Sequence, residues 1–307
     1  MAGSQSTPGV SGHHTNKRIR HLKLRFVFLF LSILFALWSG ETALRLYFKH
    51  FPDYDIEMWR YALELKAGVD DGRSHIHIPN SSSVLMGVPV QINSKGLRDH
   101  EYAYEKPAGT YRILVLGDSF AFGWGVAFEK TFPKRLEAML RSKNNQTRKY
   151  AAIEVINAGI GNYNTAQELA WLRQEGIKYE PDEVLLAYYL NDPEKTQKEA
   201  NDHFWLRGSI IRAFLVSAGN KILAIFDERR RYDFYYRSLY SEQRWRDHQE
   251  TLLDLEKTTR GRGIRLTVLI LPEFHDFQHY QFSDIHKKVA GFFRDHVCPV
   301  LDALKEF

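Results

Sequence analysis

The chain has 307 residues, of which 44% are hydrophobic and 14% aromatic, so it can bury one substantial core and is too apolar to be disordered throughout. Its formal net charge is +5, but the first 25 residues contain no acid and five cations: Lys17, Arg18, Arg20, Lys23 and Arg25. The remainder is close to neutral, which argues against a general nucleic-acid-binding surface. The single cysteine, Cys298, excludes an intramolecular disulfide and a cysteine-based metal cluster.

The N-terminal part is predicted to cross a membrane. Residues 1–21 are predicted to form a disordered, basic cytoplasmic tail, and the stretch Phe26–Gly40 that follows is uncharged. Extended to 22–44, it approaches the roughly 30 Å of a bilayer core. The cations before it place the N-terminus in the cytoplasm and the main domain outside, in the periplasm of a Gram-negative cell. A cleaved signal peptide stays open as the alternative, because the apolar core is short.

The rest of the chain divides into an irregular part and a regular part. Residues 45–110 contain several prolines and short β-like pieces, which predict an irregular lead-in with small β elements. From residue 111 onward, apolar strands alternate with helices. Strands are predicted at 112–117, 153–159, 183–190, 265–272 and 298–302, with helices near 130–144, 164–176 and 282–295 and a mostly helical insertion at 193–260. This alternation predicts an α/β domain over 111–307 with a parallel sheet, doubly wound as a flavodoxin-like three-layer sandwich.

Polar residues follow three of the predicted strands. The first strand ends in Gly117, Asp118 and Ser119, the second in the run 157–162, and the third in Asn191 and Asp192. Any one of these ends could simply form a turn or cap a helix. Because the carboxyl ends of parallel strands meet at one edge of the sheet, all three together indicate a ligand site there.

Ser119 is the candidate nucleophile of that site. Its hydroxyl projects from the end of a strand, and its backbone N–H lies where the next helix begins. Acyl transfer needs both features, because the tetrahedral intermediate carries an oxyanion next to the attacking oxygen. The side chain of Asn191 and a backbone N–H from the second turn are candidate further donors to that oxyanion.

Three sequence blocks carry a resemblance to a known family. They are GDSF at 117–120, NAGIGNYNT at 157–165 and LND at 190–192, and the lead-in INSKGLRDHEY at 92–102 precedes them. In this order they resemble the SGNH (GDSL-type) hydrolases, and in particular the membrane-anchored bacterial members of that superfamily. The resemblance implies the SGNH hydrolase fold, Ser119 as nucleophile and Asn191 as oxyanion donor. It implies no cofactor and no metal.

The chain departs from the family pattern at two places. The family's glycine of the second block aligns near Asn162, with Gly161 one position earlier, so the oxyanion hole is assigned to Ser119, Asn191 and either Gly161 or Asn162. Asp118 and Asp192 are predicted to support the site. The family's Asp-x-x-His block is not found after residue 298. The general-base histidine is therefore expected beyond residue 307.

His275 is the alternative base. It begins the sequence HDFQH at 275–279, which follows the fourth predicted strand and reaches the same edge of the sheet. The two histidines of this sequence also imitate a helical zinc motif, but no third ligand is evident, so no metal is predicted. His275 is otherwise expected to be an ordinary loop residue of the cleft.

The insertion contains two unusual segments. Residues 208–226 are apolar but interrupted by Arg212 and Lys221, which is too many charges for a second membrane span. Residues 229–248 interleave cations with aromatic side chains. These aromatic residues are predicted either to pack on the sheet or to form a lid or substrate platform beside the third strand.

Together these features predict a membrane-anchored, exported serine esterase or O-acyltransferase. Its expected partners are the lipid bilayer and an ester-bearing polysaccharide at the cell surface, and no nucleic acid. A lipase-like or thioesterase activity on lipids is the second enzymatic reading. The alternative that is not an enzyme is a non-catalytic SGNH-like protein that binds glycans or assembles polysaccharide.

Overall fold

A computed structural model describes residues 12–196, 208–227, 232–274, 276–296 and 298–306. Its α-helices are α1 Gly12–His50, α2 Tyr54–Glu64, α3 Ser119–Phe122, α4 Phe132–Thr147, α5 Thr165–Gln174, α6 Ile210–Phe226, α7 Tyr232–Leu239, α8 Glu242–Arg260 and α9 Ser283–Asp295. Its strands are β1 Lys66–Gly68, β2 His75–His77, β3 Ser82–Leu85, β4 Val88–Gln91, β5 Thr110–Gly117, β6 Ala152–Asn157, β7 Glu183–Tyr188, β8 Arg265–Ile270 and β9 Val300–Asp302.

A five-stranded parallel sheet forms the centre of the molecule. Its strand order is β6-β5-β7-β8-β9, and each neighbouring pair is parallel. The chain therefore starts in the middle of the sheet, adds one strand on one side, and then adds the remaining strands on the other. This is the predicted doubly wound, flavodoxin-like order, and the fold prediction is confirmed. It places the topological switch point, where such sheets bind ligands, between β5 and β7.

Both faces of the sheet are covered, because the inner strands are apolar on both sides. On one face, Leu114 and Leu116 of β5 belong to the larger core cluster, which includes apolar side chains of α5, α8 and α9. On the other face, Ile113 and Val115 pack in a smaller cluster with side chains of α4. Alternate residues of one strand thus enter opposite layers, as expected for a pleated strand.

The lead-in forms two small antiparallel hairpins rather than one small sheet. β1 pairs with β2, and β3 pairs with β4. The lead-in helix α2 supplies Tyr61 and the following Leu65 to an apolar cluster that also contains Phe122 of α3. The lead-in therefore packs against the turn that carries Ser119.

The N-terminal helix is longer than the predicted span at both ends. α1 covers Gly12–His50, so the prediction of a disordered tail over 1–21 is wrong for residues 12–21, while residues 1–11 lie outside the described part. One unbroken helix includes both the charged residues and the apolar residues that follow them. The reason is that no proline or glycine lies between Gly12 and Gly40. Within the described residues, the segment Arg20–His50 is long and apolar enough to cross a membrane.

The described part of the insertion is helical, and its helices have different neighbours. α6 packs on α1 and α2, whereas α7 and α8 cover the edge and one face of the sheet. The apolar segment 208–226 is therefore not a lid, since α6 lies on the lead-in and contributes no residue to the cleft beside Ser119.

Candidate active site

Ser119 lies in a tight turn directly after the central strand β5. It is the first residue of α3, which is a single turn, and Gly123 ends that turn with a left-handed backbone at φ +84°. The Asp118 carboxylate accepts a hydrogen bond from the Phe120 N–H at 2.8 Å and so caps the turn. The predicted helix after the serine is thus only four residues long, and Ser119 begins it as predicted.

Arg98 holds the end of this turn. Its guanidinium is buried and donates to the carbonyl oxygens of Phe122 at 3.0 Å, Gly123 at 2.6 Å and Val126 at 2.7 Å. Phe122 is the last residue of α3, and a helix end leaves its last carbonyls without partners inside the helix. Arg98 belongs to the lead-in motif at 92–102, which gives that motif a role: it fixes the backbone that follows Ser119.

The second turn packs against α3 through glycine. A Cβ on Gly159 would lie 2.3 Å from the Phe122 backbone nitrogen, so only glycine fits between β6 and α3. The chain then reaches Gly161 and Asn162. Asn162 is exposed and has a left-handed backbone at φ +69°, a conformation that asparagine tolerates better than most residues. An asparagine can therefore take the place of the family's glycine at this position.

Four side chains of the lead-in hold the carbonyl and amide of Gly161, and we call them the lead-in clamp: Tyr61, Lys66, His75 and His77. The Tyr61 hydroxyl accepts a hydrogen bond from the Gly161 N–H at 2.9 Å and bonds to Nε2 of His77 at 2.6 Å. The Gly161 carbonyl accepts from Lys66 Nζ at 2.7 Å and from Nε2 of His75 at 3.1 Å.

Burial keeps the two histidines of the lead-in clamp neutral. Burial and, to a smaller extent, the nearby Lys66 charge lower the pKa of both His75 and His77 to about 3. A neutral His77 that donates from Nδ1 to the Gly96 carbonyl at 2.9 Å has Nε2 left to accept from Tyr61. The Tyr61 hydroxyl in turn has its oxygen left for Gly161. The chain of hydrogen bonds therefore has one consistent direction.

This arrangement decides between the two predicted amide donors. The Gly161 N–H is already bonded to the Tyr61 hydroxyl, so it is not free to act as the predicted oxyanion donor. The backbone N–H groups of Ser119 and Asn162 have no hydrogen-bond partner in the part of the chain that the structure describes. Lys66 also donates to Oδ1 of Asn162 at 2.8 Å, which ties the Asn162 side chain away from its own N–H. Of the two predicted amide donors of the second turn, the Asn162 N–H is the one left unpaired within the described residues.

Asn191 follows β7 and lies against Asp118. Burial raises the pKa of Asp118 to about 6, while hydrogen bonds from the Phe120 N–H and the Asn191 side chain lower it. The contact directs the NH2 group of Asn191 toward the turn that carries Ser119. That amide has two protons, and the carboxylate of Asp118 takes one of them. The predicted roles of Asn191 as donor and Asp118 as its support fit this geometry.

A cluster of buried acids lies behind Asn191. Asp192 is buried, and its Oδ2 accepts from the Tyr189 N–H at 3.3 Å, so it shapes the turn and does not reach the cleft. Glu168 of α5 is buried too, and neither of its oxygens has a hydrogen-bond partner among the described residues. Burial raises the pKa of both carboxyls well above the usual range, and the neighbouring acids raise it further. Glu168 could not be found from the sequence, because it lies on an ordinary helix without a motif.

Replacing Glu168 with Gln is expected to change how stability depends on pH. Folding raises the pKa of the Glu168 carboxyl above its unfolded value of 4.5. Such a group favours the folded state most below pH 4.5, and this contribution to stability is lost as the pH rises. The variant should therefore melt about 3 °C or more above the wild type at pH 8, with the difference closing toward pH 5. Thermal unfolding followed by circular dichroism measures this. The exposed Glu250→Gln is the matched control, and parallel curves for wild type and Glu168→Gln would contradict the prediction.

The three turns open into one cleft of about 950 Å³. Ser119, Asn162 and Asn191 all line it, so the structure brings together the predicted nucleophile and two of its predicted oxyanion donors. Most other lining residues are aromatic and come from several elements: Tyr54, Phe120, Trp124, Tyr189, Tyr232, Tyr235, Tyr236 and Phe274. Three of these tyrosines belong to α7. The aromatic segment of the insertion therefore forms one wall of the cleft, as the platform prediction requires.

Hydrogen bonds between hydroxyls and acids order the aromatic wall. The Tyr236 hydroxyl donates to that of Tyr189 at 3.1 Å, and the Tyr232 hydroxyl donates to Oε2 of Glu273 at 3.2 Å. The ring of Phe120, next to Ser119, lies 4.3 Å from that of Tyr189. Glu273 is a cleft residue that the sequence did not reveal, since it follows β8 without any motif.

The predicted histidine base is not found among the described residues that line the cleft. None of the described histidines belongs to that lining, and His275 lies outside the described residues. Asp302 and His286 form a buried pair at 2.7 Å, but the second nitrogen of His286 bonds to the Tyr280 hydroxyl at 2.8 Å instead of reaching the cleft. Across the described residues, no group of three potential metal ligands is found.

Comparisons with known proteins give fold-level likenesses. No family profile matches the chain, and no curated protein matches it significantly. Matching solved structures include TesA (15% identity, 62% of this chain and 76% of that chain, TM-score 0.37). AlinE4, an SGNH-hydrolase family esterase, matches at 17% identity, 64% and 77% coverage and a TM-score of 0.36. The psychrotrophic esterase EstA from Pseudoalteromonas sp. matches at 18% identity, 62% and 76% coverage and a TM-score of 0.33. The matching structures thus include an SGNH-hydrolase family esterase and also a GDSL-like lipase, and the SGNH (GDSL-type) hydrolases are the family that the sequence blocks resemble.

Proposed function

We propose that this chain is a serine hydrolase of the SGNH type that cleaves carboxylic esters. The observation that carries the proposal is the cleft in which the Ser119 hydroxyl meets two unpaired backbone N–H groups and the Asn191 amide. A hydroxyl beside preorganised donors is the arrangement that acyl transfer requires. The one-turn helix α3 adds little dipole, so these individual donors supply most of the stabilisation.

The reaction follows from this geometry. The Ser119 oxygen attacks the ester carbonyl carbon and loses its proton to a general base outside the described residues. The carbonyl oxygen becomes an oxyanion that accepts from the N–H of Ser119, the N–H of Asn162 and the NH2 of Asn191. The intermediate then expels the alcohol, which takes up the proton and leaves the acyl group on Ser119. Water releases the acyl group as a carboxylic acid, or a second alcohol takes it in a transferase reaction.

We propose acyl esters of a cell-surface polysaccharide as the substrate, in a protein anchored to the inner membrane and facing the periplasm. The aromatic wall supports this choice, because sugar rings present C–H faces that pack on aromatic rings while their hydroxyls bond to tyrosines and acids. Tyr232 and Glu273 offer such a pair inside the cleft. The apolar segment Arg20–His50 of α1 supports the anchor.

The experiment that tests the proposed function measures release of acetate from an acetylated polysaccharide and from a simple aryl acetate. It compares the wild type with Ser119→Ala. Loss of both reactions in the variant supports the hydrolase. Acetate appearing on an added sugar acceptor instead of in solution would assign the transferase reaction to the same serine.

Replacing Lys66 with Met is expected to slow ester hydrolysis about tenfold through kcat, with KM nearly unchanged. Lys66 does not touch the substrate; it positions the Asn162 N–H by holding Gly161 and Asn162. Small displacements of oxyanion donors cost transition-state binding more than substrate binding. Lys66→Arg should recover part of the rate. In an Asn162→Gly background the Lys66→Met substitution should cost less, and equal costs in both backgrounds would contradict this positioning role.

A further inference from the structure

The outward surface of α6 is apolar. Leu215 is 62% exposed, Ile222 56% and Phe226 83%. The other exposed apolar residues of the helix are Phe214, Val216, Leu223 and Ile225. Single exposed apolar residues are common on soluble proteins, but a contiguous set of this size marks a contact surface.

Two polar side chains of α6 bond to the lead-in, although Lys221 is itself 59% exposed. The Ser217 hydroxyl donates to Oδ2 of Asp55 at 2.7 Å, and Lys221 Nζ donates to Oδ2 of Asp53 at 2.8 Å. Ile210 is buried at the start of the helix. A surface helix in water has its apolar stripe toward the core and its charges outward. α6 instead exposes seven large apolar side chains, which suits a helix whose outer surroundings are apolar.

The start of α6 is fixed to α1 at a defined level. The Glu41 carboxylate accepts from the N–H groups of Ile210 at 3.0 Å and Ile211 at 3.3 Å, and Arg45 donates to the Gly208 carbonyl at 2.7 Å. Glu41 is the first charged residue after the uncharged stretch 26–40. A helix over 22–44 is about 34 Å long, close to the thickness of a bilayer core. The start of α6 therefore lies at the edge of the hydrocarbon layer that α1 would cross.

Further exposed apolar residues lie between Glu41 and the connection that follows α1. Leu46 is 58% exposed, Tyr47 54% and Phe51 63%. Aromatic residues are enriched where a membrane helix meets the headgroup layer. The apolar surface of α6 therefore adjoins the surface that α1 would present to lipid. A bilayer is the apolar medium that could contact both surfaces.

We propose that α6 is a second membrane contact, whose outward face enters the outer leaflet beside α1. The occupant of that face is lipid acyl chains and the adjacent headgroup layer of the bilayer that α1 crosses. This inference rests on the proposed membrane anchor. It adds that the domain is held to the membrane surface by two elements, so that it does not swing freely about the end of α1.

The test uses the full chain with Cys298→Ala, which removes the single cysteine, and one new cysteine at a time. Leu215→Cys and Ile222→Cys report on α6, Leu29→Cys reports on the anchor, and Met139→Cys on the exposed side of α4 is the control. An environment-sensitive fluorophore is attached to each cysteine, and the protein is reconstituted in vesicles of phosphatidylethanolamine and phosphatidylglycerol. Quenching by spin-labelled lipid and by aqueous iodide is then measured. All four side chains are exposed, so the substitutions leave the packing intact.

Lipid quenching at Leu215→Cys and Ile222→Cys within about twofold of that at Leu29→Cys, with only iodide quenching at Met139→Cys, supports the inference. Iodide quenching on α6 together with lipid quenching at Leu29→Cys would overturn it and leave the anchor standing. Protection of α6 from both quenchers would also overturn it, because a second protein would then cover the helix. Iodide quenching at Leu29→Cys would remove the anchor and the inference together, without touching the chemistry of Ser119.

Discussion

Replacing Ser119 with Ala is expected to lower ester hydrolysis by at least about three orders of magnitude. The variant keeps the oxyanion donors but lacks the oxygen that forms the acyl intermediate, so only water held in the cleft can attack. The hydroxyl is half-buried and forms no hydrogen bond within the described residues, so its loss leaves no buried group unpaired. The melting temperature should therefore stay the same while kcat collapses. Initial rates with an aryl acetate at saturating substrate measure this.

Wild type and variant are compared in otherwise identical full chains, so that whichever group acts as the base is common to both. Ser241→Ala, at an exposed position before α8, is the matched control and should retain the full rate. Equal rates for Ser119→Ala and wild type would remove the serine from the mechanism. A complete lack of turnover in the wild type on every ester tested would instead favour the glycan-binding reading.

Replacing Asn191 with Ala is the second large effect, with an expected loss of about 100-fold to 1,000-fold in kcat. The Asn191 amide donates to charge that exists only in the transition state, so KM should change little. The substitution also removes a hydrogen bond to Asp118, whose carboxyl is buried with a pKa of about 6. That second loss should lower the stability measured above pH 6, where Asp118 is charged, more than the stability measured at pH 5.

Steady-state kinetics with separate kcat and KM values distinguish this role from a structural one. Asn145→Ala, an exposed asparagine on α4, is the control and should change neither value. A rise in KM with an unchanged kcat would show that Asn191 binds the substrate and does not stabilise the oxyanion. The fold losses in kcat of Asn191→Ala and Lys66→Met, multiplied together, should exceed the fold loss of the double variant. The two losses are not independent, because both residues are proposed to act on one oxyanion hole.

The parts of the site that lie in short segments at strand ends could be predicted from the sequence. Ser119 and Asn191 each follow an apolar strand within three residues, and the topology of a parallel sheet brings such ends together. The choice between Gly161 and Asn162 could not be predicted. It depends on the hydroxyl of Tyr61, which is 100 residues earlier in the chain and takes the Gly161 N–H.

The contacts of the lead-in with the site could not be predicted from the sequence either. Its hairpins lack periodicity, so the sequence predicted an irregular segment, yet this segment supplies Arg98 to the end of α3 and the lead-in clamp to the second turn. The segment 208–226 was recognised as apolar from its composition. Its lack of contact with the cleft depends on the pairing of Glu41 with the start of α6, which joins residues about 170 apart.

The short connection between α1 and α2 limits how far the enzyme can work from the membrane. α1 ends at His50, and Tyr54, the first residue of α2, already lines the cleft. An extended chain from His50 to Tyr54 spans at most about 14 Å, so the catalytic cleft cannot move away on a flexible tether. With the proposed membrane anchor and the proposed polysaccharide substrate, the reacting sugar would have to lie next to the lipid headgroups. Because the connection between α1 and α2 has only three residues, the enzyme would act on polysaccharide near the membrane and would not reach polysaccharide farther from it.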